Sequence, residues 1–146
     1  MIAVGSDHGG LALKQAVYEL LQRRNLECKD YGTNSSESVD YPDFGAKVAR
    51  VVSRGEADAG ILICGTGIGM SIVANKFPGV RAALVHDEFT AQMAREHNNA
   101  NILVMGGRVL SIEQGLKLVE IWLDSEFAGG RHQNRLAKIT AVEQHL

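Results

Sequence analysis

The chain has 146 residues, 45% of them hydrophobic and 22% charged, with a formal net charge of -2. That length supports one domain over residues 1–146 with a sizeable core, and so small a charge excludes the electrostatic footprint of a nucleic-acid or membrane-surface binder. No apolar run is long enough to cross a bilayer, and Met1-Ile2-Ala3-Val4 reads as a strand that starts the fold rather than as a charged-then-apolar leader.

The rhythm is strand, loop, helix, repeated. Ile2 to Gly5 is a first strand, and Ser6-Asp7-His8-Gly9-Gly10 is its loop. Leu11, Leu13, Ala16, Val17, Leu20 and Leu21 mark an amphipathic helix ending near Arg24. Leu26 to Tyr31 is a weak second strand, and Gly32 to Pro42 is polar loop, with Tyr41-Pro42-Asp43 a turn into the next helix. Phe44, Val48, Val51 and Val52 mark that helix, which Gly55 closes. Ile61-Leu62-Ile63 has the length and composition of a buried parallel strand.

A helical pattern through Met70, Ile72, Val73 and Ala74 follows, then a fourth strand over Val80 to Val85 and a helix over Phe89 to Glu96. Ile102 to Met105 is a fifth strand. Ser111, with Gln114 three residues on, predicts a capping box for the helix carrying Leu116, Val119, Ile121, Trp122 and Leu123. Gly129-Gly130 breaks the chain before a last helix marked by Leu136, Ile139 and Val142. Such alternation predicts a parallel sheet covered by helices on both faces, with ligands beyond the carboxyl ends of the strands.

The chemistry concentrates after the third strand. Cys64 stands at its end, and Gly65-Thr66-Gly67-Ile68-Gly69 leads into a helix. A glycine-rich turn there presents backbone N–H groups to an anion, phosphate above all. Taken alone the run is weak evidence. Its spacing is neither the dinucleotide fingerprint nor a P-loop, and a cysteine at a strand end is more often a small buried hydrophobe.

Other residues gather by topology. Asp7 and His8 follow the first strand, and Arg108 follows the fifth. Asp7-His8 has a plain reading, an Asp capping the first helix beside a solvated His, and a sharper one as a polar pair handling a substrate hydroxyl or phosphate. His97 and Asn98 end the fourth helix and precede the fifth strand, so simple topology sets them at the opposite edge. A bent helix end, or a second subunit, would bring them back. Arg131 and Arg135 lie one turn apart at the start of the last helix and with His132 form a basic cluster. Cations oppose the dipole there, which points to a task such as gripping phosphate. Cys28 reads as core. The two cysteines form no framework and the histidines show no metal-ligand spacing, so reduced thiols, a cytoplasmic location and no metal are expected.

Together these pieces resemble the type B ribose-5-phosphate isomerases, within the wider group of ribose and galactose phosphate isomerases. The resemblance spans essentially the whole chain. It rests on GSDHGG at Gly5 to Gly10, DYGTNSSESVDYPDF at Asp30 to Phe44 and GILICGTGIGMSIVANK at Gly60 to Lys76. REHNNANIL at Arg95 to Leu103, GGRV at Gly106 to Val109 and GGRHQNR at Gly129 to Arg135 continue it.

The resemblance implies a Rossmann-like three-layer α/β/α sandwich around a five-stranded parallel sheet. It implies aldose–ketose isomerisation of a sugar phosphate, typically ribose 5-phosphate to ribulose 5-phosphate, without metal or organic cofactor. It implies a homodimer, in some members a tetramer, with sites shared between subunits. Cys64 falls on the proton-transfer base, and His97 on the ring-opening histidine, with Asp7 near it. Thr66 and the Gly65, Gly67, Ile68, Gly69 loop fall on the group that holds the enediolate. Asn98 falls on a substrate-binding position. His8, Arg108, Arg131 and Arg135 fall on phosphate-side positions, the arginines coming from the neighbouring subunit. Some members use a glutamate in the helix after the glycine loop; Met70 stands there in this chain, which sets it in the cysteine branch. A six-carbon sugar phosphate such as allose or galactose 6-phosphate, a non-catalytic sugar-phosphate binder and an inert structural subunit are the competing readings.

Overall fold

Apolar runs of alternating face, each handed on to an amphipathic helix, build one parallel sheet. The structure, a computed structural model, describes residues 1–146. Its strands are β1 (Ile2–Ser6), β2 (Cys28–Asp30), β3 (Ala59–Cys64), β4 (Ala82–Leu84) and β5 (Ile102–Gly106), in the order β2-β1-β3-β5-β4. All pairings are parallel, with Ile2 opposite Cys28 and Ala59, Cys64 opposite Gly106, and Ala82 opposite Ile102. The helices are α1 (Leu11–Arg23), α2 (Tyr41–Ser53), α3 (Ile68–Ala74), α4 (Glu88–Glu96), α5 (Ile112–Asp124) and α6 (Arg131–Gln144). A single 3-10 turn, His8–Gly10, precedes α1.

Side chains alternate along each strand, so the sheet feeds two cores. Ile2, Val4, Ile61, Ile63, Leu103 and Met105 pack under α1, α4 and α5 with Val17, Leu21, Val119 and Trp122. Ala3, Leu62, Cys64, Ile102 and Val104 pack under α2 and α3 with Val48, Val52 and Met70. This is the expected three-layer sandwich. Central β1 and β5 are buried along their whole length and β3 from Gly60 onward, as near-continuous apolar runs in a doubly covered sheet should be.

Helix ends follow the expected chemistry, with two differences. Ser111 and Gln114 form the capping box, Ser111 Oγ accepting from Gln114 N at 3.1 Å and Gln114 Oε1 from Ser111 N at 2.9 Å. Asp87 is a true N-cap for α4, paired with Thr90 in a second capping box, beyond the dipole role its position suggests. Tyr41-Pro42-Asp43 is the first turn of α2 rather than a turn before it, because proline is preorganised for a helix start. Edge strands β2 and β4 are shorter than their apolar runs predict. Their flanks stay hydrogen-bonded through Ile2 N to Glu27 O, Tyr31 N to Val4 O and Val85 N to Val104 O. The carboxyl ends of β1, β3 and β5 meet at one edge, where the order reverses about β1 and β3.

Candidate active site

Three loops are laced together at that edge by backbone hydrogen bonds. Asp7 N donates to Ile63 O at 3.2 Å, Gly107 N to Cys64 O at 2.8 Å and Arg108 N to Gly65 O at 2.9 Å. The loops after β1, β3 and β5 are therefore one assembly. Cys64 closes β3 with its side chain on the α2–α3 face and is 4% exposed. Its Sγ accepts the Gly67 N–H at 3.2 Å, which fixes the sulfur over the turn. Gly67 has φ 82°, and an added Cβ would stand 3.0 Å from the Met105 carbonyl carbon, so only glycine suits this position.

The turn spends some of its donors on itself. Gly67 N–H serves the sulfur, and Ile68 N–H is donated to Thr66 Oγ1 at 3.2 Å. Thr66 and Ile68 are exposed, and Gly65 and Gly69 half-buried. The Arg108 side chain crosses this turn: a Cβ built on Gly65 would be 3.2 Å from a guanidinium nitrogen, and one built on Gly9 would be 3.4 Å from the guanidinium carbon. Arg108 thus belongs with Cys64 of its own chain. This corrects the expectation that all three arginines come from the neighbouring subunit; Arg108 follows β5, whose carboxyl end adjoins that of β3.

Asp7 is buried, and its Oδ1 accepts the Gly10 N–H at 3.1 Å, so it caps the 3-10 turn His8–Gly10 rather than α1, whose own N-cap is Gly10. Half-buried His8 accepts the Val39 N–H on Nδ1 at 3.2 Å. In a neutral ring this leaves the proton on Nε2, a free donor. Tyr41, at the start of α2, lies against Gly69; an added Cβ there would sit 2.8 Å from the Tyr41 hydroxyl oxygen. The sequence reading places Tyr41 in a turn before α2 and gives it no part in the site. The signal was an aromatic just before a proline at a helix start.

The second group of expected residues lies elsewhere. α4 runs back across the sheet from Asp87, and its nine residues span roughly 14 Å. His97, its C-cap, and exposed Asn98 therefore sit at the edge where β5 begins. Ala128 N donates to Glu96 O at 3.0 Å and brings the start of α6 to this corner. The His97 and His132 rings stack with centroids 4.1 Å apart and planes 16° from parallel. Arg131 and Arg135 stand exposed on the same first turns of α6.

His132 does not add a positive charge to that cluster. Burial, then the neighbouring His97, Arg131 and Arg135, push its pKa below the ordinary histidine range. Within one chain Asp7, His8, Cys64, Thr66 and Arg108 come together, and His97, Asn98, Arg131 and Arg135 come together, but the two groups stay apart. No three His, Cys, Asp or Glu side chains gather as a metal-holding group, and both cysteines are free thiols.

The family model described as "Ribose/Galactose Isomerase" matches residues 2–139. Ribose-5-phosphate isomerase B of Escherichia coli (strain K12) is 48% identical over 143 residues, 98% of this chain and 96% of that protein. The solved structure of Clostridium thermocellum ribose-5-phosphate isomerase B is 53% identical with a TM-score of 0.97, covering 99% of this chain and 97% of that one. That of Mycoplasma genitalium ribose-5-phosphate isomerase B, with bound ribulose-5-phosphate, is 44% identical with a TM-score of 0.96, covering 99% and 97%. Both measures span nearly the whole chain, which belongs to the ribose/galactose isomerase family.

Proposed function

We propose that this chain interconverts ribose 5-phosphate and ribulose 5-phosphate by proton transfer through an enediolate, as a cytoplasmic enzyme of pentose phosphate metabolism. The observation that carries the reading is the Cys64 sulfur, held at the end of β3 by Gly67 N–H with the Arg108 side chain across the same turn. A pure binder of sugar phosphate has no need of a thiol in that position.

The cyclic sugar must open first. A base takes the anomeric hydroxyl proton while an acid protonates the ring oxygen; His97 and Asp7 carry these roles. With Asp7 Oδ1 engaged by Gly10 N–H, its Oδ2 is the oxygen free to act. Cys64 then removes the C2 proton of the open aldose. The C2–H electron pair forms the C1–C2 double bond, and the carbonyl electrons move onto O1. The O2 hydroxyl proton passes to O1, and the same sulfur returns its proton to C1 as the C2 carbonyl forms. The oxyanion develops beside Thr66 and the turn, where preorganised donors act most strongly. His8 Nε2–H, Arg108, Arg131 and Arg135 hold the phosphate, and Asn98 a sugar hydroxyl; contacts remote from the reacting carbons fix their position.

One chain carries two half-sites at opposite edges of the sheet. A two-fold pairing that sets the His97 group of one copy over the Cys64 turn of the other makes two identical complete sites. We therefore read the protein as a homodimer, or a tetramer built from such dimers.

A six-carbon substrate is the second reading, favoured by a family description that names galactose beside ribose. Purified protein assayed against ribose 5-phosphate, allose 6-phosphate and galactose 6-phosphate tests both. The highest kcat/KM on ribose 5-phosphate is expected; a higher value on either hexose phosphate overturns the five-carbon assignment. Absence of turnover on all three sugar phosphates overturns catalysis altogether.

A further inference from the structure

Lys14 is a fully buried charge that the reaction above does not use. Its side chain has no solvent exposure, and it lies on the helical stripe of Val17 and Leu21. Its Nζ reaches both carboxylate oxygens of Asp30, at 2.8 and 2.7 Å, Thr33 O at 2.6 Å and Asn34 Oδ1 at 2.7 Å. An ammonium has three N–H donors, and these acceptors take all of them. Nothing is left to offer a substrate, so a direct catalytic role is excluded.

The acceptors all belong to the end of β2 and the segment after it. Asp30 Oδ1 also accepts the Gly32 N–H at 2.7 Å. Gly32 O accepts from Ser6 N, and Thr33 N donates to Ser6 O, each at 2.6 Å. Residues 31–33 thus run beside the end of β1, one residue short of Asp7. Asn34 to Ser38 then continue as exposed polar chain with no apolar side chain to anchor them. The segment is caught again at Val39, whose N–H meets His8 Nδ1 at 3.2 Å. The polar loop is held at one end by Lys14 and at the other by His8.

We propose that Lys14 is a positioning residue for His8. Its buried ammonium fixes the path of residues 30–34, the loop carries that placement to Val39, and the Val39 N–H holds the His8 ring with its proton on Nε2, ready to donate to phosphate. The last step rests on the reading of His8 as a phosphate ligand given above.

The test uses the full chain and inorganic phosphate as the probe. Lys14→Met alone leaves the Asp30 charge buried without its partner and risks unfolding. Lys14→Met/Asp30→Asn removes both charges and keeps an acceptor for Gly32. In this folded double variant, ring nitrogen-15 shifts of His8 are expected to move from a single Nε2–H tautomer to a mixture. Phosphate inhibition and KM for the sugar phosphate should both weaken, by about twofold for an even mixture and towards about tenfold where the hydrogen bond to the charged group is lost outright, with kcat little changed. A purely structural Lys14 would lower thermal stability and leave the His8 signals and phosphate affinity at wild-type values, which overturns the proposal.

If the double variant does not fold, Asn34→Ala decides. It removes one exposed anchor, and a shift of both readouts in the same direction is expected; no shift overturns the link. His8→Asn separates the two layers of the argument. Unchanged phosphate inhibition in that variant refutes His8 as a phosphate ligand, while the tautomer signal of the Lys14→Met/Asp30→Asn chain, which keeps His8, still reports whether Lys14 sets the ring.

Discussion

At Cys64, backbone does the holding: Asp7 N to Ile63 O, Gly107 N to Cys64 O and Arg108 N to Gly65 O tie three loops into one edge. At His97, the grip comes from a ring stacked on His132 at 4.1 Å and a single backbone bond from Ala128 to Glu96. The first region is a consequence of parallel topology, which brings carboxyl strand ends together whatever the side chains are. The second is assembled from a helix C-terminus and a helix N-terminus, and its exposed Asn98, Arg131 and Arg135 face away from the chain. In the reading proposed above, the first region is the reaction centre and the second a set of reaching side chains that a second copy would set over it.

Removing the centre of the first region should have the largest effect. Cys64→Ala is expected to lower kcat by about 10³ or more, the middle of what a positioned base contributes or above, with sugar phosphate still bound. Steady-state kinetics with isothermal titration of the substrate separates the two quantities. Most of the activity surviving in Cys64→Ala would remove the sulfur from the mechanism and make the two regions alike in being only binding surfaces.

Complementation tests whether the regions of different copies meet. Cys64→Ala chains mixed with Arg131→Ala/Arg135→Ala chains, each nearly inactive alone, should recover activity. In a mixed dimer one site collects both defects and the other none. Random exchange makes about half the dimers mixed, so roughly one quarter of wild-type activity should return. Absence of recovery, with exchange demonstrated by mass-tagged subunits, would mean that each site draws on one chain.

His97→Ala asks what the second region contributes. It should reduce turnover of ribose 5-phosphate, which must open, by about 10², and turnover of open-chain ribulose 5-phosphate by clearly less. Equal losses in both directions would leave His97 as a binding residue and erase its difference from Asn98.

Much of this was legible in the residues. The alternation of strands and helices, the Ser111–Gln114 capping box and the glycine turn after Cys64 are local signals with local causes. The grouping of Asp7, Cys64 and Arg108 followed from strand ends alone. Contacts between segments with no shared period were not legible. Tyr41 meets Gly69 only because α2 packs on α3, and no spacing announces that. Lys14 did leave a trace, a lysine on the apolar stripe of Val17 and Leu21, but its partners at Asp30, Thr33 and Asn34 depend on the fold. His132 was grouped with Arg131 and Arg135 as a basic cluster, and its burial against His97, which lowers its pKa, is a tertiary fact.

His132 also supplies the smallest expected effect, a dependence of stability on pH confined to the second region. Burial, reinforced by the charges of His97, Arg131 and Arg135, holds its pKa in the folded chain below the ordinary value of about 6.5. Above that value both folded and unfolded chains leave it neutral. Between the depressed folded value and about 6.5, the unfolded chain binds a proton that the folded chain refuses, so stability rises with pH across this window. Its contribution is therefore complete above about 6.5 and is lost as the pH falls through the folded value. Scanning calorimetry from pH 7.5 to 5.5 should show the wild-type Tm falling more steeply than that of His132→Gln, by on the order of 2 °C. The comparison is between slopes, since the substitution also removes the ring stack and lowers Tm at every pH. Parallel slopes would show that His132 titrates alike in both states, and the second region would then hold His97 by packing alone, without excluding a proton from its neighbour.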